Sequence, residues 1–219
     1  MHVKVLLIMT STSNSLEDIK AIRKIMEESS RFLSLSGLSG IIAGLAAIAG
    51  ALVAWLFILD GGGLPLDEHY NSLSGMETIT VRWQLAGVAI AVLVVSVLNA
   101  FVLSSRKARK AGRTFWTPAS RQMLVSLFVP LAAGGIFALA LLLQDQIQLV
   151  IPCFLVFYGL ALVSAGKFTF GEIFYLGILQ IATGLVSVFV PGWDLVFWVF
   201  GFGILHIVYG LAMYRKYEA

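Results

Sequence analysis

LVFWVFGFGILHIVYGLAMY, residues 195–214, runs for twenty positions without a charged side chain. About twenty consecutive apolar residues make a helix long enough to cross the hydrocarbon core of a bilayer. A soluble helix of this length would carry charged residues on the face turned toward water. The stretch therefore predicts a transmembrane helix, in which His206 is the most polar side chain.

The composition of the whole chain agrees with this prediction. Of 219 residues, 59% are hydrophobic and 12% are charged, and the mean hydropathy is +0.92. Ordinary soluble domains carry about 25% charged residues. The single cysteine, Cys153, excludes a disulfide within one chain. The composition therefore indicates an all-α, polytopic membrane protein, because helices satisfy their own backbone groups in lipid.

Five further apolar segments precede residues 195–214 in the chain. Short connections at 144–148 and 191–194 join neighbouring segments and force antiparallel hairpins. We expect a bundle of six transmembrane helices, at residues 35–59, 85–103, 123–143, 149–165, 173–190 and 195–214.

A helix of another kind is predicted before the first span. Leu16, Ile19, Ile22, Met26 and Leu33 fall near one face at helical spacing, and the charges of the helix balance. Such a helix either rests at the membrane surface or serves as a docking or oligomerisation surface. The predicted organisation is a flexible tail, a cytoplasmic amphipathic helix and a six-helix transmembrane domain, at residues 1–14, 15–33 and 34–219 respectively.

The basic residues predict the orientation in the membrane. The loop after the second segment is strongly basic and contains no acid. Placing this loop and both termini in the cytoplasm puts 14 of the 15 Lys and Arg residues inside, with Arg82 alone outside. The loop either sets topology only or also contacts anionic lipid headgroups, through Arg106, Lys107, Arg109, Lys110 and Arg113. It is too short and too close to the membrane to predict nucleic-acid binding.

The later segments share a short repeated sequence. Tyr158-Gly159-Leu160-Ala161 in the fourth segment matches Tyr209-Gly210-Leu211-Ala212 in the sixth. A basic residue follows each copy. The match indicates a repeated two-helix hairpin, with its copies related by an axis along the membrane normal.

The same region resembles a known family. The resemblance is carried by Lys167-Phe168-Thr169, Tyr175-Leu176-Gly177, Pro191-Gly192 and His206-Ile207-Val208-Tyr209-Gly210. These motifs look like those of an uncharacterised bacterial family of six-helix inner-membrane proteins, and residues 31–37 are similar to that family's approach to its first span. The Pro-Gly hairpins resemble, more loosely, the HdeD-like membrane proteins. The resemblance implies six spans in a bacterial inner (cytoplasmic) membrane, but no reaction and no ligand.

Polar residues inside the spans are the candidates for a site, because each must find a partner in lipid. They concentrate in the cytoplasmic half, so we expect a polar pocket that opens to the cytoplasm. The residues predicted to bind a ligand there are His206, Gln180, Glu172, Asn99, Tyr175 and Tyr209.

Two of these residues have alternative interpretations. His206 could sense pH or shuttle a proton, ligate haem or a metal, or only form a packing hydrogen bond. Glu172 either binds a substrate or forms an interfacial ion pair with Lys167. His2 and His69 lie outside the spans without ligand spacing, so neither a metal site nor a cofactor is expected.

A stripe of small residues runs along the first segment and includes Gly40-x-x-x-Gly44. Small residues let helix backbones approach closely in lipid. The stripe predicts either packing within the chain or formation of a homo-oligomer.

The sequence contains no His-Glu-x-x-His, no Gly-x-Ser-x-Gly and no phosphate-binding Gly-x-x-x-x-Gly-Lys motif. The interpretation is a non-enzymatic membrane protein whose partners are membrane lipids and a small molecule, a lipid or a protein bound in the pocket. Two alternatives remain open, an oligomeric transporter or channel and an intramembrane enzyme that uses His206.

Overall fold

The computed structural model describes residues 32–61, 75–112 and 114–218. Within these ranges it contains six helices long and apolar enough to cross a membrane. They are α1 (Gly37–Ile58), α2 (Gly75–Lys110), α3 (Pro118–Leu143), α4 (Ile147–Phe168), α5 (Gly171–Val188) and α6 (Asp194–Tyr217). The prediction of an all-α, six-helix bundle is confirmed, and the chain is a multi-pass integral membrane protein.

Three of the helices are irregular. α1 ends in π-helix at Ala54–Ile58, and short 3₁₀ turns, Ile147–Leu149 and Gly166–Phe168, form the two ends of α4. α6 changes from α-helix to π-helix at Val199–Leu205 and returns to α-helix at His206. A π-helical segment inside a helix is rare and is frequent at functional sites.

The predicted N-terminal segments fall largely outside the described residues. The tail and residues 15–31 of the predicted amphipathic helix are not among them. Phe32 and Leu33, the last two residues of that predicted helix, are non-helical. The backbone N–H of Phe32 donates to the carbonyl of Phe168 at 2.7 Å, and the hydroxyl of Thr169 donates to the Phe32 carbonyl at 2.7 Å. This segment is therefore fixed to the end of α4 before α1 begins.

The helices pack in the order α2, α1, α6, α4, α3. Each helix in this series packs against the next, and α5 packs along α4 and contacts α6. In the part of the chain that the structure describes, α2 and α3 do not pack along each other. The five helices thus form an open ring, with its gap between α2 and α3.

Glycines bring two pairs of helices into close contact. A Cβ atom on Gly44 of α1 would lie 2.6 Å from the carbonyl oxygen of Gly203 in α6. A Cβ atom on Gly159 of α4 would lie 2.7 Å from the carbonyl oxygen of Gly177 in α5. Neither distance leaves room for a side chain. The small-residue stripe of α1 therefore packs within the chain, against α6.

α2 begins ten residues earlier than the predicted segment at 85–103, at Gly75. The added turns contain Arg82, which is 9% exposed although it is charged. Its guanidinium donates to the carbonyl of Leu142 at 2.8 Å and to the carboxylate of Asp145. Both partners lie where α3 connects to α4. They balance the positive charge of Arg82, which would otherwise be buried without a partner.

Candidate functional site

Three polar side chains meet near the midpoints of their helices. They are Tyr158 of α4, Gln180 of α5 and His206 of α6, which we call the polar cluster. Gln180 is fully buried and His206 is 8% exposed. A polar group buried at this depth without a hydrogen-bond partner destabilises the fold.

The hydrogen bonds of the cluster determine the tautomer of His206. Its Nδ1 atom lies 3.1 Å from the Gly201 carbonyl oxygen, which can only accept, so Nδ1 carries the proton. Nε2 is then an acceptor, and the Tyr158 hydroxyl 2.8 Å away donates to it. The side-chain amide of Gln180 donates to the same Gly201 carbonyl at 2.8 Å. Both ring nitrogens of His206 are therefore engaged.

Gly201 shapes the cluster because it has no side chain. A Cβ atom there would lie 2.4 Å from Cδ2 of Leu155 and 2.9 Å from Oε1 of Gln180. Gly201 lies in the π-helical segment that ends just before His206. The wide π turn and the absence of a side chain together let two side chains reach one backbone carbonyl.

One acceptor of the cluster remains without a partner. Gln180 Oε1 is buried and has no hydrogen bond within the described residues. The donors of Tyr158 and His206 are used inside the cluster, so its unused capacity lies chiefly in acceptors, Gln180 Oε1 and the Tyr158 oxygen lone pairs. A buried acceptor that forms no hydrogen bond costs about 1–3 kcal/mol. The cluster is thus suited to a neutral group that donates a hydrogen bond.

Aromatic rings extend the cluster along α6. Phe202 lies 5.4 Å from Tyr158 and 4.8 Å from Trp198, measured between ring centroids. Tyr158 stacks on His206 at 5.4 Å. The indole N–H of Trp198 donates to the carbonyl of Ala47 in α1 at 3.0 Å. Tyr158, Trp198 and Phe202 are half-buried. These three rings form an aromatic wall that reaches from α1 to the polar cluster.

The other predicted site residues lie elsewhere. The Asn99 side chain donates to the carbonyl of Ser39 at 3.1 Å and so joins α2 to α1. Tyr175 is 70% exposed on α5. Tyr209 packs against a buried apolar layer on the side of the cluster toward the end of α6. Of the six predicted residues, the structure therefore brings together Gln180 and His206.

Glu172 forms an ion pair, but not with the predicted partner. Its carboxylate accepts from Lys216 at 2.5 Å and from the Tyr217 hydroxyl at 3.1 Å. Lys167 is exposed. The start of α5 is thus joined to the end of α6. Glu172 forms an ion pair, as one of its two interpretations predicted, but with Lys216 and not with Lys167.

The end of the bundle where α2 finishes carries most of the described basic residues, and we call it the basic end. Arg106, Arg109 and Lys110 are exposed there, as a role in lipid contact requires. Arg113 lies outside the described residues. Lys107 is instead used inside the protein, where its ammonium donates to Glu218 at 2.9 Å and to the Leu35 carbonyl at 2.8 Å.

A pocket of about 290 Å³ opens beside Lys107 at the basic end. Its lining residues are Leu33, Lys107, Thr169, Phe170, Gly171 and Tyr217. An apolar layer of Leu162, Ile173 and Leu176, packed with Leu35 and Leu127, lies between this end and the polar cluster. The pocket at the basic end and the polar cluster are therefore separate places in the fold.

No protein family, curated protein or solved structure matches this chain. The resemblance to the bacterial six-helix family therefore stays a prediction. Within the described ranges, no group of three or more His, Cys, Asp or Glu side chains is placed to hold a metal ion.

Proposed function

We propose that this chain is a non-enzymatic membrane protein that binds a small neutral molecule at the polar cluster. The observation that carries the proposal is the buried, unpartnered Oε1 atom of Gln180 at mid-membrane depth. A ligand that donates one hydrogen bond, such as a hydroxyl or an amide, would satisfy it. The predicted pocket residues Gln180 and His206 are kept in this proposal, and Tyr158 joins them.

The arrangement of His206 favours binding over catalysis. A general base must reach the substrate with a ring nitrogen that can accept its proton. Both nitrogens of His206 are occupied, by Tyr158 and by the Gly201 carbonyl. The imidazole is thus held in one orientation, and its role in this proposal is to position the Tyr158 hydroxyl.

Replacing Gln180 by methionine tests the proposal. Methionine has a similar shape but no oxygen acceptor, and its sulfur accepts only weakly. A retained ligand should therefore bind about tenfold more weakly, the equivalent of one hydrogen bond of about 1.4 kcal/mol. Ligand content is measured by mass spectrometry after extraction in mild detergent. The thermal unfolding midpoint should change little, because the substitution also removes an unsatisfied acceptor.

Thr183→Val is the matched control. Thr183 lies one turn from Gln180, is 9% exposed, and its hydroxyl donates to the Leu179 carbonyl of its own helix. It should keep its ligand. If Gln180→Met does not fold, Gln180→Leu, which also lacks the Oε1 acceptor, is tested in its place. A wild-type protein that retains no small molecule, or equal retention by both variants, would show the proposal to be wrong.

We also propose that the basic end faces the cytoplasm of a bacterial inner membrane, where Arg106, Arg109 and Lys110 contact anionic headgroups. Cationic loops resist translocation, which supports this orientation. In a Cys153→Ser background, Lys110→Cys should be labelled by an impermeant maleimide only after cells are permeabilised. Met76→Cys, 78% exposed at the other end of α2, should be labelled in intact cells. Labelling of Lys110→Cys in intact cells would show that the basic end faces away from the cytoplasm and that the proposed orientation is wrong.

A further inference from the structure

One stripe of α2 is buried at its two ends and exposed between them. Residues spaced three or four apart lie on one helix face. Arg82 near the start and Ser104 and Ala108 near the end of this stripe are buried. Ile90 and Val97 on the same face are 60% and 57% exposed. The face that meets the rest of the protein at both ends is therefore uncovered in the middle.

α3 shows the matching feature on its own side of the gap. Ala138 and Leu142 are buried, and Ala86 of α2 packs against their cluster. Gly135, three residues before Ala138, is exposed, and a Cβ atom there would have no neighbour within 4 Å. Gly87 of α2 is equally open. The two helices thus part next to these glycines.

Contacts at both ends hold the two helices in this arrangement. At one end, Arg82 of α2 binds the Leu142 carbonyl and Asp145. At the basic end, the ring of Phe101 in α2 lies 5.2 Å from that of Phe115, which lies 5.2 Å from that of Phe32. The gap between α2 and α3 is therefore closed above and below and open in the middle of the membrane. We call it the lateral opening.

The aromatic wall lies on the helices that complete the ring behind this opening. Trp198 and Phe202 belong to α6 and Tyr158 to α4, and these helices connect α1 to α3 around the ring. A second apolar cluster lies at the basic end, and in it Phe32, Ala119, Met123 and Ala165 are buried. The contacts of the described residues thus leave the lateral opening uncovered, on a side of the ring that faces lipid.

We infer that the ligand comes from the membrane itself and passes between α2 and α3. This inference rests on the proposed function and names its ligand class, a lipid-soluble alcohol or phenol with an apolar body. The hydroxyl would donate to Gln180 Oε1 or to the Tyr158 oxygen. The apolar body would lie along the aromatic wall and extend past Leu93 and Val97 into the lipid. No charge is needed on the ligand, because the cluster itself is uncharged.

A photoreactive probe tests the inference. A long-chain alcohol that carries a diazirine is added to the full-length protein in lipid vesicles, and its methyl ether serves as a probe without a donor. After irradiation, the labelled peptides are found by mass spectrometry. We expect the alcohol to label peptides containing Leu93 and Phe202, with unlabelled alcohol competing. The ether should label them about tenfold less, the equivalent of one hydrogen bond.

Gly135→Trp should close the route and abolish labelling of the Phe202 peptide. The exposed position has room for the ring. Ile136→Trp is the matched control, because the neighbouring side chain is 72% exposed and lies on another face of α3. Its labelling should equal that of the wild type.

The outcomes separate the two proposals. Unchanged labelling in Gly135→Trp, with loss in Gln180→Met, would leave the binding function intact and show the lateral route to be wrong. Equal labelling by alcohol and ether, unaffected by Gln180→Met, would overturn both.

Discussion

Replacing Glu218 by alanine should lower the free energy of unfolding by about 2–3 kcal/mol, below the usual range for a buried ion pair because both partners are partly exposed. One carboxylate oxygen of Glu218 accepts from the Gly37 backbone N–H at 2.6 Å and from Lys107 at 2.9 Å. The other accepts from the Ser36 hydroxyl at 3.2 Å. The variant loses all three bonds and leaves the Lys107 ammonium without its counter-charge. Chemical unfolding in mixed micelles measures the loss.

The size of this effect follows from what Glu218 does for α1. A helix begins with backbone N–H groups that have no partner inside the helix. Ser36 stands at the N-cap position of α1, but its side chain makes no capping bond to the helix. Glu218, 181 residues along the chain from Gly37, supplies the acceptor instead. A residue that follows α6 is therefore part of the structure at the start of α1.

Glu172→Ala is the matched control for Glu218→Ala. Glu172 also forms an ion pair with a lysine near the C-terminus, but the Lys216 side chain is 61% exposed. Exposed pairs contribute little to stability, because water screens the two charges. The side chains of Lys107 and Glu218 are 25% and 16% exposed. Equal losses in the two variants would mean that the Glu218 interaction is an ordinary surface pair, contrary to the expectation. The double variant Lys107→Met, Glu218→Met should lose less than Glu218→Ala, because no charge remains unpaired.

The six spans were predictable because each depends on a local property, the length of an apolar run. The start of α2 was not predictable, because it does not depend on a local apolar run. Its added turns contain Glu77 and Arg82, which an apolar criterion excludes from a span. Arg82 is stable there because Asp145 approaches from the next hairpin, 63 residues away in the sequence. A partner at that distance leaves no mark on the local pattern.

The site was predictable in part. Gln180 and His206 stand out because a polar side chain inside a span is costly unless it binds a partner. Helical periodicity gives the face on which each lies, but the partner of that face depends on how the hairpins pack. Asn99 and Glu172 satisfy the same criterion of polarity, yet their partners are Ser39 and Lys216. Polarity alone could not separate the candidates that join the polar cluster from those that bind partners elsewhere.

Tyr158 is the residue that sequence reasoning left out of the site, although a signal for it was present. It belongs to the repeated Tyr-Gly-Leu-Ala sequence. In the structure, Gly159 of the first copy packs against the backbone of α5, and Gly210 of the second copy packs against the backbone of α1. The two copies thus make equivalent helix contacts. Tyr158 precedes the first of these glycines, and its hydroxyl lies 2.8 Å from Nε2 of His206.

Gly210→Ala should destabilise the protein by about 2–3 kcal/mol, the upper part of the range for overpacking, although it adds one methyl group. A Cβ atom on Gly210 would lie 2.6 Å from the Ile41 backbone nitrogen and 2.7 Å from the Gly37 carbonyl oxygen. Both neighbours are backbone atoms of α1, so no side chain can rotate away. The helices must separate, and α1 would then lose its close contact at Gly44 and Gly203 as well. Thermal and chemical unfolding in detergent measure the change.

Gly87→Ala separates this packing effect from the effect of changing a glycine as such. Gly87 lies in α2, where an added Cβ has no neighbour within 4 Å. Alanine there should be neutral or stabilise by up to about 1 kcal/mol, because it is the better helix former. A Gly210→Ala variant as stable as Gly87→Ala would contradict the close packing of α1 on α6. Since α6 carries His206 and the aromatic wall, that result would also remove the framework on which the polar cluster is built.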